Sequence, residues 1–71
     1  MKIYAIYYID DDDYDYFMRR EDAQNCGVGY IRQIGEKESW DPQEIESLVD
    51  GFLREGWAYD LCHIEEIEVK E

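Results

Sequence analysis

The chain opens on an apolar run without a break. Lys2-Ile3-Tyr4-Ala5-Ile6-Tyr7-Tyr8-Ile9 is β-branched and aromatic at both parities, the composition of a strand crowded on both faces. Ile3, Ala5, Tyr7 and Ile9 fall on one side, and Tyr4, Ile6 and Tyr8 on the other. A central strand is expected, with tyrosine hydroxyls reaching a wet rim. Four consecutive aspartates, Asp10 to Asp13, interrupt the run and predict a solvated turn. Beyond it, Tyr14 to Arg19 is expected to pair back as a hairpin. A short helix follows over about 20–26, closed by Gly27. One helix from about Asp13 to Asn25 is the alternative. Gly29 to Ile34 reads as a further strand that stops at Gly35.

The next segment carries helix start and stop signals. Asp41 is an N-cap, Pro42 occupies the first helical position, and Glu44 stands three residues after the cap. Ile45, Leu48, Val49, Phe52 and Leu53 then form one apolar stripe, ended by Gly56. A helix over about 42–55 follows. From Trp57 onward the pattern is strand again. Ile67 and Val69 are in step and Ile64 out of step, so a bulge at Glu65-Glu66 is expected to turn both carboxylates to solvent. The chain is therefore expected to be α+β. It would be a single domain over residues 1–71, a small antiparallel sheet of three to four strands packed against one main helix (about 42–55), with a short helix at about 20–26.

Charge changes this picture most. Nineteen acidic residues stand against seven basic ones, a formal −12. Phosphates are repelled by such a surface, so direct nucleic-acid binding is not expected. Self-repulsion favours a monomer. No apolar run is long enough to span a bilayer, and the opening residues carry no leader pattern. With two cysteines, a reduced cytoplasmic setting is expected. The acid lies in three tracts: Asp10, Asp11, Asp12, Asp13 and Asp15; Glu36, Glu38, Asp41, Glu44, Glu46 and Asp50; and Asp60, Glu65, Glu66, Glu68 and Glu71. Helical spacing sets Glu46 and Asp50 ~6 Å apart. Strand spacing sets Glu66 and Glu68 ~6.6–6.8 Å apart. Carboxylates so spaced suit sites built for successive phosphates. Tyr14, Tyr16 and Trp40 lie in or beside the acid and are expected to be exposed binding anchors, whereas Tyr4 and Tyr7 are expected to serve the core.

Other chemistries match poorly. Asp11, Asp13, Asp15 and Asp22 fall at positions 1, 3, 5 and 12 of a calcium loop, but Tyr16 stands where glycine is needed. A divalent-cation or adaptor role for the 10–15 turn is the alternative function. Cys26, Cys62 and His63 lack zinc spacing, and the adjacent Cys62 and His63 would point to opposite faces of a strand. Gly27-Val28-Gly29 lacks the third glycine of a phosphate loop. No catalytic pair stands out, and no cofactor or metal is expected.

In size and acidity, with the Lys2-Ile3-Tyr4 strand, the Asp-rich turn and the closing Ile64-Glu65-Glu66-Ile67-Glu68-Val69 strand, the chain resembles small phage-encoded inhibitors of bacterial defence. Anti-CRISPR proteins and other DNA mimics are of this type. The resemblance is one of type over the whole chain, with no shared motif. It implies a non-enzymatic inhibitor in the host bacterial cytoplasm, bound to a basic, nucleic-acid-binding surface of a defence complex. The candidate contacts are Asp10, Asp11, Asp12, Asp13, Asp15, Glu36, Glu38, Glu44, Glu46, Asp50, Glu65, Glu66 and Glu68, with Tyr14, Tyr16 and Trp40.

Overall fold

The both-faced apolar strand at the start does become a central strand. In the computed structural model, which describes residues 1–70, β1 (Lys2–Tyr8) is flanked by β2 (Asp13–Phe17) and β4 (Cys62–Glu68). A two-residue edge strand, β3 (Trp57–Ala58), completes an antiparallel sheet of order β2-β1-β4-β3. Two helices, α1 (Arg20–Lys37) and α2 (Pro42–Glu55), lie between β2 and β3 in the chain. The α+β class and the 42–55 helix stand as the sequence predicts. No helix among the described residues is long and apolar enough to cross a membrane.

Tyr4, Ile6 and Tyr8 of β1 face the helices, as do Cys62 and Ile64 of β4 and Ala58 of β3. Phe52, Ile6, Ile31 and Cys62 are the largest fully buried side chains. α2 follows its sequence signals closely. The Asp41 carboxylate accepts from the Gln43 amide at 2.8 Å, and Gly56 closes the helix in the left-handed conformation at φ 85°. The Gly56 amide returns to the Phe52 carbonyl, and its own carbonyl accepts from the Ile64 amide at 2.7 Å. The helix cap is thereby tied to β4.

Three expectations are corrected. The helix beginning at Arg20 does not stop at Gly27, and the strand expected at Gly29–Ile34 is helical; both belong to α1. Glycine's low helix propensity loses here to packing. Ala23, Gly27, Ile31 and Gly35, four apart, form the buried seam of α1. A Cβ on Gly27 would overlap the Phe52 ring of α2, and one on Gly35 would sit 2.6 Å from Ile45. The glycines are in the helix because α2 comes that close. Second, β4 has no bulge: Tyr4 pairs Glu66, Ala5 pairs Glu65 and Ile6 pairs Ile64 in unbroken register. Glu65 and Glu66 therefore point to opposite faces, and it is Ile64 that faces the core, while Ile67 pairs Ile3 on the far side. Third, Tyr7 does not serve the helix-covered core, because its parity sets it on the other face of the sheet.

Two glycines of one helix should respond to alanine with opposite sign. Gly27→Ala is expected to destabilise by about 1–3 kcal/mol through overpacking against Phe52. Gly29 is exposed with open space around it, so Gly29→Ala is expected to stabilise by about 0.5–1 kcal/mol. Urea unfolding of both variants reads the difference.

Candidate functional site

Antiparallel pairing gathers distant acid at one end of the sheet. The β1–β2 turn and the β3–β4 turn lie side by side there, tied by the Ile9 amide donating to the Leu61 carbonyl at 3.1 Å. Asp10 and Asp60 each lie one residue beyond that bond. α1 runs back towards the same end, so that Asp10 and Asp11 share a shallow groove with Tyr30, Lys37 and Glu38. α2 starts there too. Trp40, Leu48, Tyr59 and Leu61 line an open groove with Glu44 and Asp60 beside them. Members of all three acidic tracts thus meet at the turn end. Among the described residues, Asp10, Asp11, Glu38, Glu44 and Asp60 form no ion pair.

Several of the remaining carboxylates are engaged within the chain. Glu46 on α2 pairs with Arg32 on α1. The guanidinium hydrogen bond and charge hold the Glu46 carboxyl below its usual range and raise Arg32. Asp50 pairs with Arg54 at 3.2 Å, Glu66 with Lys2 at 3.8 Å, and Glu68 with the Met1 amino group at 3.6 Å. The two carboxylate pairs with phosphate-like spacing are therefore partly neutralised by their own chain. Glu36 is exposed on the last turn of α1, and Glu71 lies outside the described residues.

Within the hairpin the aspartates have local work. Asp12 takes the left-handed turn position at φ 50° and accepts from the Tyr7 hydroxyl at 2.6 Å. Asp13 accepts from the Tyr14 amide at 2.9 Å. Asp15 faces the helix side and accepts from the Tyr8 hydroxyl at 2.7 Å. That hydroxyl also lies 3.0 Å from the Cys26 sulfur; since it donates to Asp15, the thiol is left to donate to it. Burial first, then the Cys26 and Asp15 contacts, keep Tyr8 far above the usual tyrosine range. Of the residues that match calcium-loop positions, Asp11 lies in the turn, Asp13 and Asp15 on strand β2 and Asp22 in α1, and no three His, Cys, Asp or Glu among the described residues are placed to hold a metal ion. The cation-binding alternative gains no support from this geometry.

The second surface is aromatic. Tyr14, Tyr7, His63 and Trp57 stand directly opposite one another across all four strands, on the face away from the helices. Tyr7 lies 4.7 Å from Tyr14 and 5.2 Å from His63, and Tyr14 stacks on Tyr16 at 5.9 Å. The next rung is Tyr16, Ala5 and Glu65. Ala5 is fully buried although it is no part of the helix-side core; the flanking side chains close over it. Glu65 lies 3.0 Å from His63 Nε2. The Asp12 hydrogen bond is the chief cause that raises Tyr7, whereas desolvation and then the charge of Glu65 raise Tyr14. Tyr14 and Tyr16 are exposed, as expected. Trp40 is half-buried over Gly35 and lines the groove rather than standing free. Tyr7, His63, Trp57 and Tyr59 were not marked as contacts by the sequence pattern. Tyr59 had one signal to offer, an aromatic in a turn; it holds φ 45°, is 73% exposed, and packs edge-on against Trp57 at 5.7 Å.

Cys62 and His63 point to opposite faces, and both cysteines are free thiols. Burial, with Cys26 nearby, pushes the Cys62 thiol up to about 12. The unfolded chain, near ~8.5, loses that proton first, so the contribution of Cys62 to stability is present below ~8.5 and declines as pH rises towards 12. Iodoacetamide at mildly alkaline pH is expected to leave Cys62 unmodified in the folded protein and to reach it only when denaturant unfolds the chain, as read by peptide mass mapping. No protein-family model, no curated protein and no solved structure matches this chain.

Proposed function

We propose that the domain is a non-enzymatic inhibitor that docks its acidic turn end on a basic, nucleic-acid-binding protein surface, of the kind found in bacterial defence complexes. The observation that carries this reading is the gathering of Asp10, Asp11, Glu38, Glu44 and Asp60 from three separate tracts at one end, without ion-pair partners among the described residues. Among the described residues, Lys37 is the cation that lines these two grooves. Unpaired carboxylates at one end make a directional field that steers a basic partner. The open groove of Trp40, Leu48, Tyr59 and Leu61 beside them supplies apolar area for the stem of a lysine or arginine. The defence-complex setting rests on the resemblance of type. The docking chemistry rests on the charge.

Two double reversals with equal change in net charge test the reading. Asp10→Lys/Asp11→Lys alters the turn end, and Glu46→Lys/Asp50→Lys alters the flank of α2. The immobilised domain is expected to retain a nucleic-acid-binding protein from bacterial lysate. Added duplex DNA should displace that protein, and its affinity should fall about tenfold when salt shortens the screening length below ~10 Å. The turn-end variant should lose capture and the flank variant should keep most of it. Equal losses from both variants, or a captured protein that DNA does not displace, would refute turn-end docking.

A further inference from the structure

The helices cover one face of the sheet only. The opposite face carries a rung of four rings, Tyr14-Tyr7-His63-Trp57, with Tyr16 stacked beside it. Trp57 is 49% exposed and Tyr16 61%. A row of exposed rings on a sheet is a stacking platform, and two chemistries suit it: nucleobases and guanidinium groups. The local charge decides between them. The Asp12 carboxylate sits at one rim, held by the Tyr7 hydroxyl, and Glu65 stands in the next rung beside His63. The charges of both raise Tyr7 and Tyr14, so the platform lies in a negative field. A phosphate backbone is repelled there, and so is a second copy of a chain carrying −12.

We infer that this uncovered face binds arginine side chains of a basic segment of the partner, the planar guanidinium groups stacking on Tyr14, Tyr16 and Tyr7 and pairing with Asp12 and Glu65. Arginine is specified over lysine. Its guanidinium is flat, weakly hydrated and forked, so it stacks on a ring and meets a carboxylate at once, whereas an ammonium is a strongly hydrated point charge. The inference rests on the proposed docking to a basic partner and adds the residue type that the sheet face selects. It also gives the edge rings of β2 a role that the acidic end does not use. Tyr14 and Tyr16 alternate with Asp13 and Asp15 along that strand, so the edge offers rings on one face and carboxylates on the other.

The test is a titration of the isotopically labelled full chain, followed by amide shifts. The probes are a peptide of alternating glycine and arginine, its lysine counterpart and a single-stranded thymidine oligomer; dilution of the protein alone is the fourth arm. The arginine peptide is expected to shift Tyr7, Tyr14, Tyr16, His63 and Glu65, and to bind about tenfold more tightly than the lysine peptide. Tyr14→Phe/Tyr16→Phe should keep that preference, since the rings remain. Tyr14→Ala/Tyr16→Ala should abolish it, with folding checked by the unchanged dispersion of the helix resonances. Equal affinity for both peptides, or still resonances on the open face, overturns the inference; turn-end docking is then judged separately by the lysate capture. Shifts of the same residues with the oligomer assign the face to nucleobases, and shifts on dilution assign it to self-association; either overturns the arginine assignment.

Discussion

The seating of the Phe52 ring against the bare backbone of Gly27 sets how the two helices meet, and much of the molecule follows from it. α1 presents a seam of Ala23, Gly27, Ile31 and Gly35, and α2 fills it with Ile45, Val49 and Phe52. Close approach on one side lets a short chain bury a continuous core with few residues. Because both helices are used on that side, the sheet is covered once. The face of β1 that carries Tyr7 and Ala5 has no helix over it among the described residues. Its rings cover the sheet themselves, which is why Ala5 is buried under side chains of its own layer.

The same topology sorts the charge. Antiparallel strands bring two turns to one end, and the helices place the α1–α2 connection beside them, so acid from three stretches converges where few cations reach. At the other end, Lys2 and the Met1 amino group meet Glu66 and Glu68, and along the helices Arg32 and Arg54 meet Glu46 and Asp50. Exposed pairs of this sort add little stability. Their consequence is electrostatic: they offset part of the charge on the flanks, whereas Asp10, Asp11 and Asp60 at the turns have no ion pair among the described residues. Tyr59 joins the two surfaces, lining the groove at the acidic end while touching Trp57 of the sheet rung. A bulky residue held at φ 45° there is backbone strain kept next to exposed aromatic surface.

Local pattern made some elements legible. The start of α2 shows in Asp41-Pro42 and its end in Gly56, because caps are satisfied by neighbours in sequence. The hairpin shows in the Asp run between two aromatic stretches. α1 was hidden for a physical reason: its glycines look like stops until the ring that needs them is in place. The register of β4 was hidden likewise, since Glu65 and Glu66 read as a pair turned to water, while the ladder to Ala5 and Tyr4 sets them on opposite faces. At the candidate site, the exposed Tyr14 and Tyr16 were visible in their acidic surroundings. Tyr7 and Trp57 were not, because an aromatic in an apolar strand looks the same whether a helix covers it or not.

What the sequence by itself determined is therefore the class and the charge: an α+β domain at −12, with most of its acid in three tracts. These are sums and short-range patterns, and they need no fold to be counted. The tertiary structure alone decided which carboxylates remain unpaired, that Asp10, Glu38, Glu44 and Asp60 gather at one end, and that four rings line up across the uncovered face. Those are relations between residues far apart in the chain, and only strand register and helix packing bring them together.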